Sequence, residues 1–350
     1  MHPRFIHLLA AAGFALTATL ASAQADFRSH YARPAGVPAP ADNVSTPERI
    51  ELGKMLFFDP RLSGTEAMSC ASCHNPSLSW TDPLPVARGE HHVALGRRTP
   101  TILNSAFNVT QMWDGRFASL EEQALGPMTS PAEMHAQPAV VEARLNAIPR
   151  YRELFRSAYN EPVVTIKLVA KAIAAFERTV VSGEAPFDRF VRGDDQAIST
   201  EAKRGFTLFN TKAQCATCHS GWNFSDGSFH DIGIASEDKG RGPIIGLDDL
   251  DHAFKTPTLR NIAERAPYGH NGSEATLRDI VDLYNQGGRV KRSTLSQTIK
   301  PLGLDTAEQN DLVAFLRTLT SDGVKVTLPD LPGNDSGPKA AVAEKSFAAQ

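Results

Sequence analysis

Two copies of one pattern, Cys70-Ala71-Ser72-Cys73-His74 and Cys215-Ala216-Thr217-Cys218-His219, take up all four cysteines of this 350-residue chain. Cys-x-x-Cys-His is the attachment signature of c-type haem. The two thiols add to the vinyl groups, and the adjoining His reaches the iron. Two disulfides would also use four cysteines in an exported chain. A Cys-x-x-Cys can also be half of a zinc site or a thioredoxin-like redox pair. None of these requires a His directly after each second Cys, and a His so close to a ligating Cys is poorly placed for tetrahedral zinc. The reading that uses every residue of both motifs is two covalent haems, one per half. Cys70, Cys73, Cys215 and Cys218 attach them, His74 and His219 ligate the two irons, and the function is redox.

The ends of the chain agree with this. Residues 1–23 read as a signal peptide: Arg4, an apolar run from Phe5 to Leu20, then Ala21-Ser22-Ala23, with cleavage after Ala23 or Ala25. The run is short for a membrane span and no later one is longer, so a periplasmic protein that does not span a membrane is expected. The formal charge of −3 becomes −4 once Arg4 is removed, which argues against nucleic acid as a partner. Residues 24–44 read as an extended lead-in. Residues 329–350, rich in Pro, Gly, Ala and Ser, read as a disordered tail.

Between the ends, helix signals dominate. Thr46-Pro47-Glu48 opens one helix. Ser119-Leu120-Glu121-Glu122 reads as a capping box leading into Gln123. Thr165 precedes Ile166, Val169, Ile173 and Phe176 at helical spacing. Ser199 or Thr200 starts a helix carrying Phe206 and Phe209. Thr276-Leu277-Arg278-Asp279 is a further box, its helix ending near Gly287-Gly288. Leu312, Phe315, Leu316 and Leu319 mark the last helix. Long Gly- and Pro-containing stretches cover 76–118 and 221–272. Each half reads helix, aromatic end, haem motif, long loop, helix. The expected fold is mainly α: two cytochrome-c-like haem domains with long loops, at 45–190 and 191–328, with the 165–182 helix able to pack on either.

An electron wire and an enzyme differ in whether one iron keeps an open face beside acid–base groups. The six methionines are residues 1, 55, 68, 112, 128 and 134, none after the second motif. Local candidates for the opposite face of the second haem are therefore His230, His252, His270, Tyr268 and Tyr284. The motifs in order are Phe57-Phe58-Asp59-Pro60-Arg61-Leu62-Ser63, the first haem motif, Thr99-Pro100-Thr101, Trp113-Asp114-Gly115-Arg116, Ser119 to Ala124 with Gly126-Pro127, Ala175-Phe176-Glu177-Arg178, the second haem motif, Phe254 to Asn261 and Pro267-Tyr268-Gly269-His270-Asn271-Gly272. Over residues 45–320 this series resembles the bacterial diheme cytochrome c peroxidase family, which includes the MauG-type enzymes.

The resemblance implies that His74 holds the peroxide-reactive iron and that the second haem stores or relays an oxidising equivalent. It places Gln123 and Glu133 over the open face, with Pro127 nearby. A carboxylate there can move the proton between the peroxide oxygens. Trp113 falls at the inter-haem tryptophan, where an indole can carry an electron stepwise; from its type alone it is a core aromatic. Tyr284 falls where other members carry a Met ligand of the second haem and MauG-type enzymes a Tyr; a phenolate lowers the iron potential relative to Met. From periodicity alone, Ile280, Val281 and Tyr284 form an ordinary buried stripe. His91 or His92 stands where some members close the first haem with a releasable His. The family's inter-haem calcium would take the Arg265 and Pro267 carbonyls, but Arg97-Arg98-Thr99 stands where an Asn ligand is expected, and a cation there opposes Ca2+.

The expected function is a periplasmic diheme c-type peroxidase that reduces H2O2 with electrons from a small c-type cytochrome or cupredoxin. One alternative is a MauG-like enzyme that oxidises side chains of a partner protein. The other is a non-catalytic diheme electron carrier.

Overall fold

The computed structural model describes residues 27–333, so the expected signal peptide and residues 334–350 of the tail lie outside the described residues. Among the described residues, nine helices of six residues or more are α1 Pro47–Phe58, α2 Leu120–Thr129, α3 Pro138–Asn146, α4 Pro149–Tyr159, α5 Ile166–Glu177, α6 Pro186–Val191, α7 Thr200–Asn210, α8 Leu277–Asn285 and α9 Thr306–Arg317. Among the described residues the one sheet is a pair of two-residue antiparallel strands, β1 Phe229–His230 and β2 Phe254–Lys255. No described helix is long and apolar enough to cross a membrane.

The capped starts stand where the sequence puts them. Side chains of Thr46, Ser119, Thr165, Ser199 and Thr276 each accept a backbone N–H from the first turn of their helix. One detail differs: Glu122 reaches back to the Ala118 N–H at 2.9 Å, one residue before the cap. Helices α3, α4 and α6 were not expected. They follow Gln137, Ile148 and Ala185, each beginning with Pro and no capping side-chain oxygen.

Each haem motif follows a helix that crosses a later helix at a glycine. At Gly53 of α1 a Cβ would lie 1.8 Å from the Ala172 carbonyl oxygen of α5, and at Gly205 of α7 it would lie 2.0 Å from that of Asp311 in α9. No other residue permits backbones that close. Around the first crossing, Phe57 packs on Trp80 and Phe176. Around the second, Phe206 and Phe209 pack on Phe315. Two hydrophobic cores result, and α5 belongs to the first. Phe187 and Phe190 belong to the second, so the expected boundary at 190 falls inside α6 and the cores part before Pro186.

Both terminal segments find partners in the other half. The lead-in begins on the second core: Tyr31 stacks on Phe224 at 4.9 Å and donates to Asn210 Oδ1 at 2.7 Å. It ends on the first, where Asn43 Nδ2 donates to Glu121 and to the Lys171 carbonyl. The tail returns the other way. Val324 and Val326 pack on the first core, and Arg61 Nη1 donates to the Pro332 carbonyl at 2.8 Å. Residues 329–333 are thus a docked strap rather than part of a disordered tail.

Gly53→Ala and Gly205→Ala should each destabilise the holoprotein by about 1–3 kcal/mol through overpacking. The thermal midpoint, followed by haem absorbance, should fall in both, whereas Gly323→Ala, at a glycine with nothing within 4 Å and no left-handed φ, serves as the loop control.

Candidate haem centres

The two motifs are presented alike. Cys70–Cys73 forms one helical turn, boxed by Ser69 and Ser72. Cys215–Thr217 forms one tighter turn. The imidazole of His74 donates from Nδ1 to the Trp80 carbonyl at 3.2 Å, and that of His219 from Nδ1 to the Phe224 carbonyl at 2.9 Å. In both rings the proton is thereby held on Nδ1 and Nε2 is left as the basic nitrogen suited to iron. Burial pushes both histidines below the ordinary imidazole range, which keeps them neutral.

Both motifs open into one cavity of about 690 Å³. Apolar walls are supplied by residues such as Ile102, Leu120, Ile173, Leu259, Val281 and Leu312. None of the four cysteines is in a disulfide. His270, also in the wall, has a buried Nε2 with no hydrogen-bond partner in the protein, the kind of orphan that a cofactor's polar edge would satisfy. The thiols, the oriented histidines and the orphan nitrogen fit two covalent haems. Cys70, Cys73 and His74 would hold one, and Cys215, Cys218 and His219 the other.

On the His74 side, α2 and the loop after it bring Gln123, Pro127 and Glu133 into the wall. Gln123 Nε2 lies 4.0 Å from Met112 Sδ. The Glu133 segment is tightly seated. Gly64 N–H donates to the Met134 carbonyl and Glu90 N–H to that of Glu133, both at 2.7 Å. A Cβ on Gly89 would stand 1.7 Å from the Ala132 carbonyl oxygen. His91 and His92 do not join this group. Both are exposed and neither lines the cavity. Their loop is anchored instead through Glu90, whose carboxylate accepts from Thr65 N and Oγ1 at 2.7 and 2.6 Å. The expected releasable histidine is therefore not supplied by either residue in this conformation.

Trp113 lines the cavity and is tied to both halves. Its Nε1–H donates to the Arg98 carbonyl at 2.8 Å, and its own carbonyl accepts from Lys255 N at 2.8 Å. The next residue, Asp114, accepts from Arg97 at 2.5 Å and Arg116 at 2.8 Å, and Arg97 also grips Asp238 at 2.6 and 2.9 Å. The carbonyl of Arg265, expected to face calcium, instead accepts from Arg98 Nη2 at 2.9 Å; Pro267 lies in the cavity wall. The donor set therefore does not fit a calcium ion, because a guanidinium already occupies it.

On the His219 side Tyr284, on α8, lines the cavity, and burial pushes its phenol above the ordinary range. Its rivals are engaged. Tyr268 donates to the Ile262 carbonyl at 3.0 Å and His230 pairs with Asp226 at 3.0 Å; the His270 ring stacks on Phe254 at 3.7 Å but its Nε2 stays unpartnered. His252 bonds the Asp238 carbonyl and is not in the wall. Of the other two tryptophans, Trp80 packs on Phe57 and Phe176, and Trp222 lies against Arg33 and Arg260. Sequence reasoning gave Glu177 no role. It is buried, lines the cavity, has an unpartnered Oε2, and is raised to about 8 by desolvation. The signal was present: Glu177 follows Ile173 by four residues, on the stripe read as apolar.

Two haem-binding cytochrome domains around one cavity, with a carboxylate and an amide in its wall, define a diheme c-type oxidoreductase. The di-haem cytochrome c peroxidase family model matches residues 47–196, and that of cytochrome c residues 202–320. The chain is 48% identical over 325 residues to the methylamine utilization protein MauG of Methylorubrum extorquens, covering 91% of this chain and 92% of that one. It is 36% identical over 360 residues to cytochrome-c peroxidase IdrP1 of a Pseudomonas species, covering 93% and 95%. A crystal structure of a MauG-like protein associated with microbial copper homeostasis superposes with a TM-score of 0.78 at 32% identity, covering 83% of this chain and 95% of that one. The chain belongs to the di-haem cytochrome c peroxidase family, in its MauG-like subgroup: a peroxidase-type oxidoreductase with two covalent c-type haems.

Glu177 makes stability pH-dependent. An unfolded-state carboxyl titrates near 4.5 and the folded one near 8, so the folded state holds the extra proton between these values. The stabilisation is complete below about pH 4.5 and is lost as pH rises through about 8. Glu177→Gln should raise the thermal midpoint at pH 9 and leave it nearly unchanged at pH 4.

Proposed function

We propose that this protein is an exported, periplasmic MauG-like enzyme that uses H2O2 to oxidise side chains of a partner protein. The observation that carries the reading is Tyr284: it lines the cavity of the second haem motif, in a chain with no methionine beyond residue 134. The higher identity to MauG than to the cytochrome-c peroxidase favours the same reading. Bound haem iron supplies the redox chemistry of peroxide cleavage, which takes up two electrons and two protons per H2O2 and releases two waters. Glu133, in the cavity wall, would take a proton from one oxygen of peroxide and return it to the oxygen that leaves as water. Gln123 orients peroxide by hydrogen bonding. Trp113, bonded to residues of both halves, passes electrons between the two sites. Tyr284 would hold the second iron as a hard anionic donor, which would favour retention of oxidising equivalents over quick return of electrons from a carrier.

The second reading, reduction of peroxide with a small c-type cytochrome or cupredoxin as donor, keeps the same roles for Glu133, Gln123 and Trp113. Stoichiometric H2O2 added to the purified diheme protein, with and without a reduced small c-type cytochrome, separates the two. A partly high-spin ferric resting spectrum, a long-lived oxidised form and slow cytochrome turnover are expected. Brisk turnover would transfer the conclusion to the second reading, and no reaction with peroxide would sink both. Glu133→Gln should slow the peroxide reaction by about 10²- to 10⁴-fold. Tyr284→Phe should change the spectrum of the second haem; an unaltered spectrum removes Tyr284 as its ligand.

A further inference from the structure

Arg98 is a buried cation whose charge is met by no carboxylate. It is 5% exposed. Nη1 donates to the Leu84 carbonyl at 3.1 Å, and Nη2 to the carbonyls of Asp82 at 3.2 Å and Arg265 at 2.9 Å. The one acid beside it, Asp82, is turned away, its carboxylate accepting from the Leu84 N–H and the Thr99 hydroxyl. Its neighbour Arg97 shows the usual alternative, with two carboxylates to itself. Converging neutral carbonyls around a positive charge are what a hard metal cation collects. Here a guanidinium, planar and always charged, collects them.

The same residue joins the two halves. Asp82 and Leu84 follow the first haem motif, and Arg265 and His270 follow the second. The Arg98 N–H donates to the His270 carbonyl at 2.7 Å, and the Arg98 carbonyl takes the indole proton of Trp113 at 2.8 Å. Guanidinium, amide and carbonyl of one residue thus fasten two carbonyl-rich loops and one tryptophan.

We propose that Arg98 is the resident cation of the seam between the haem domains, replacing a divalent metal, and that it is a positioning residue for Trp113. The seam of this chain is then complete without calcium. The inference holds for either electron source considered above.

The test uses the holoprotein. Wild type should contain well under one calcium per chain by elemental analysis, and neither EGTA nor excess Ca2+ should alter its haem spectrum or thermal midpoint. One tightly held calcium whose removal shifts either would overturn the proposal. Arg98→Gln removes the charge and Arg98→Lys keeps it. In a spectroelectrochemical titration at fixed pH, both haem midpoints should fall in the Gln variant, since loss of a buried positive charge favours the oxidised irons, and should recover at least in part in the Lys variant. A folded Gln variant with unchanged midpoints would refute the role of Arg98. If neither variant folds, the metal content and EGTA response of wild type still decide the question.

Discussion

The approach of α1 to α5 and of α7 to α9 places everything else. A haem motif is useful only if its two thiols and its histidine face one side of a shared space, and that requires the helix leading into it to be held rigidly. In both halves the hold is a backbone contact across a glycine, Gly53 on Ala172 and Gly205 on Asp311, too close for a Cβ. The aromatic side chains one turn further on, Phe57 in one half and Phe209 in the other, then fill the space beside the crossing. The repeat is real at this level: two motifs, two crossings, two histidines with Nδ1 bonded to a carbonyl a few residues downstream.

Function depends on where the halves cease to match. The first cavity wall receives a polar pair from α2 and its loop, and the second receives a phenol from α8. Between them lies a charged seam of Arg97, Asp114 and Asp238 beside Arg98 and Trp113. The partly buried ion pairs there are bonded on several sides, with Arg97 shared between Asp114 and Asp238. The two straps, 27–45 running from the second core to the first and 324–333 docking on the first, keep the domains in one arrangement. A tryptophan bonded to both halves stays in place only if the halves do not move apart.

Legibility in the sequence followed the range of the physics. Helices whose first turn is bonded by a side-chain oxygen, at Thr46, Ser119, Thr165, Ser199 and Thr276, could be read because the cap is local. Helices α3, α4 and α6 begin on proline alone, and proline marks loops as readily as helix starts. The straps looked extended because they lack periodicity; their partners, Asn210, Glu121 and Arg61, are remote in the chain. Glu177 sat unnoticed on an apolar stripe, since a carboxyl's protonation depends on what surrounds it. His91 and His92 had the right neighbourhood in the chain, yet Glu90 anchors their loop through Thr65 and leaves both imidazoles exposed.

The paired Cys-x-x-Cys-His motifs by themselves determined the cofactor and its number, because attachment and proximal ligation involve atoms within five residues of chain. The absence of methionine after residue 134 likewise meant that a Met ligand for the second iron could come only from the other half. Only the tertiary structure decided which groups share the cavity: Gln123, Glu133 and Tyr284 line one space with His74 and His219, and Arg98 sits in a ring of carbonyls drawn from both halves. Residues 82 and 265 meet around one guanidinium because two separately packed cores close on each other, and no local pattern encodes that meeting.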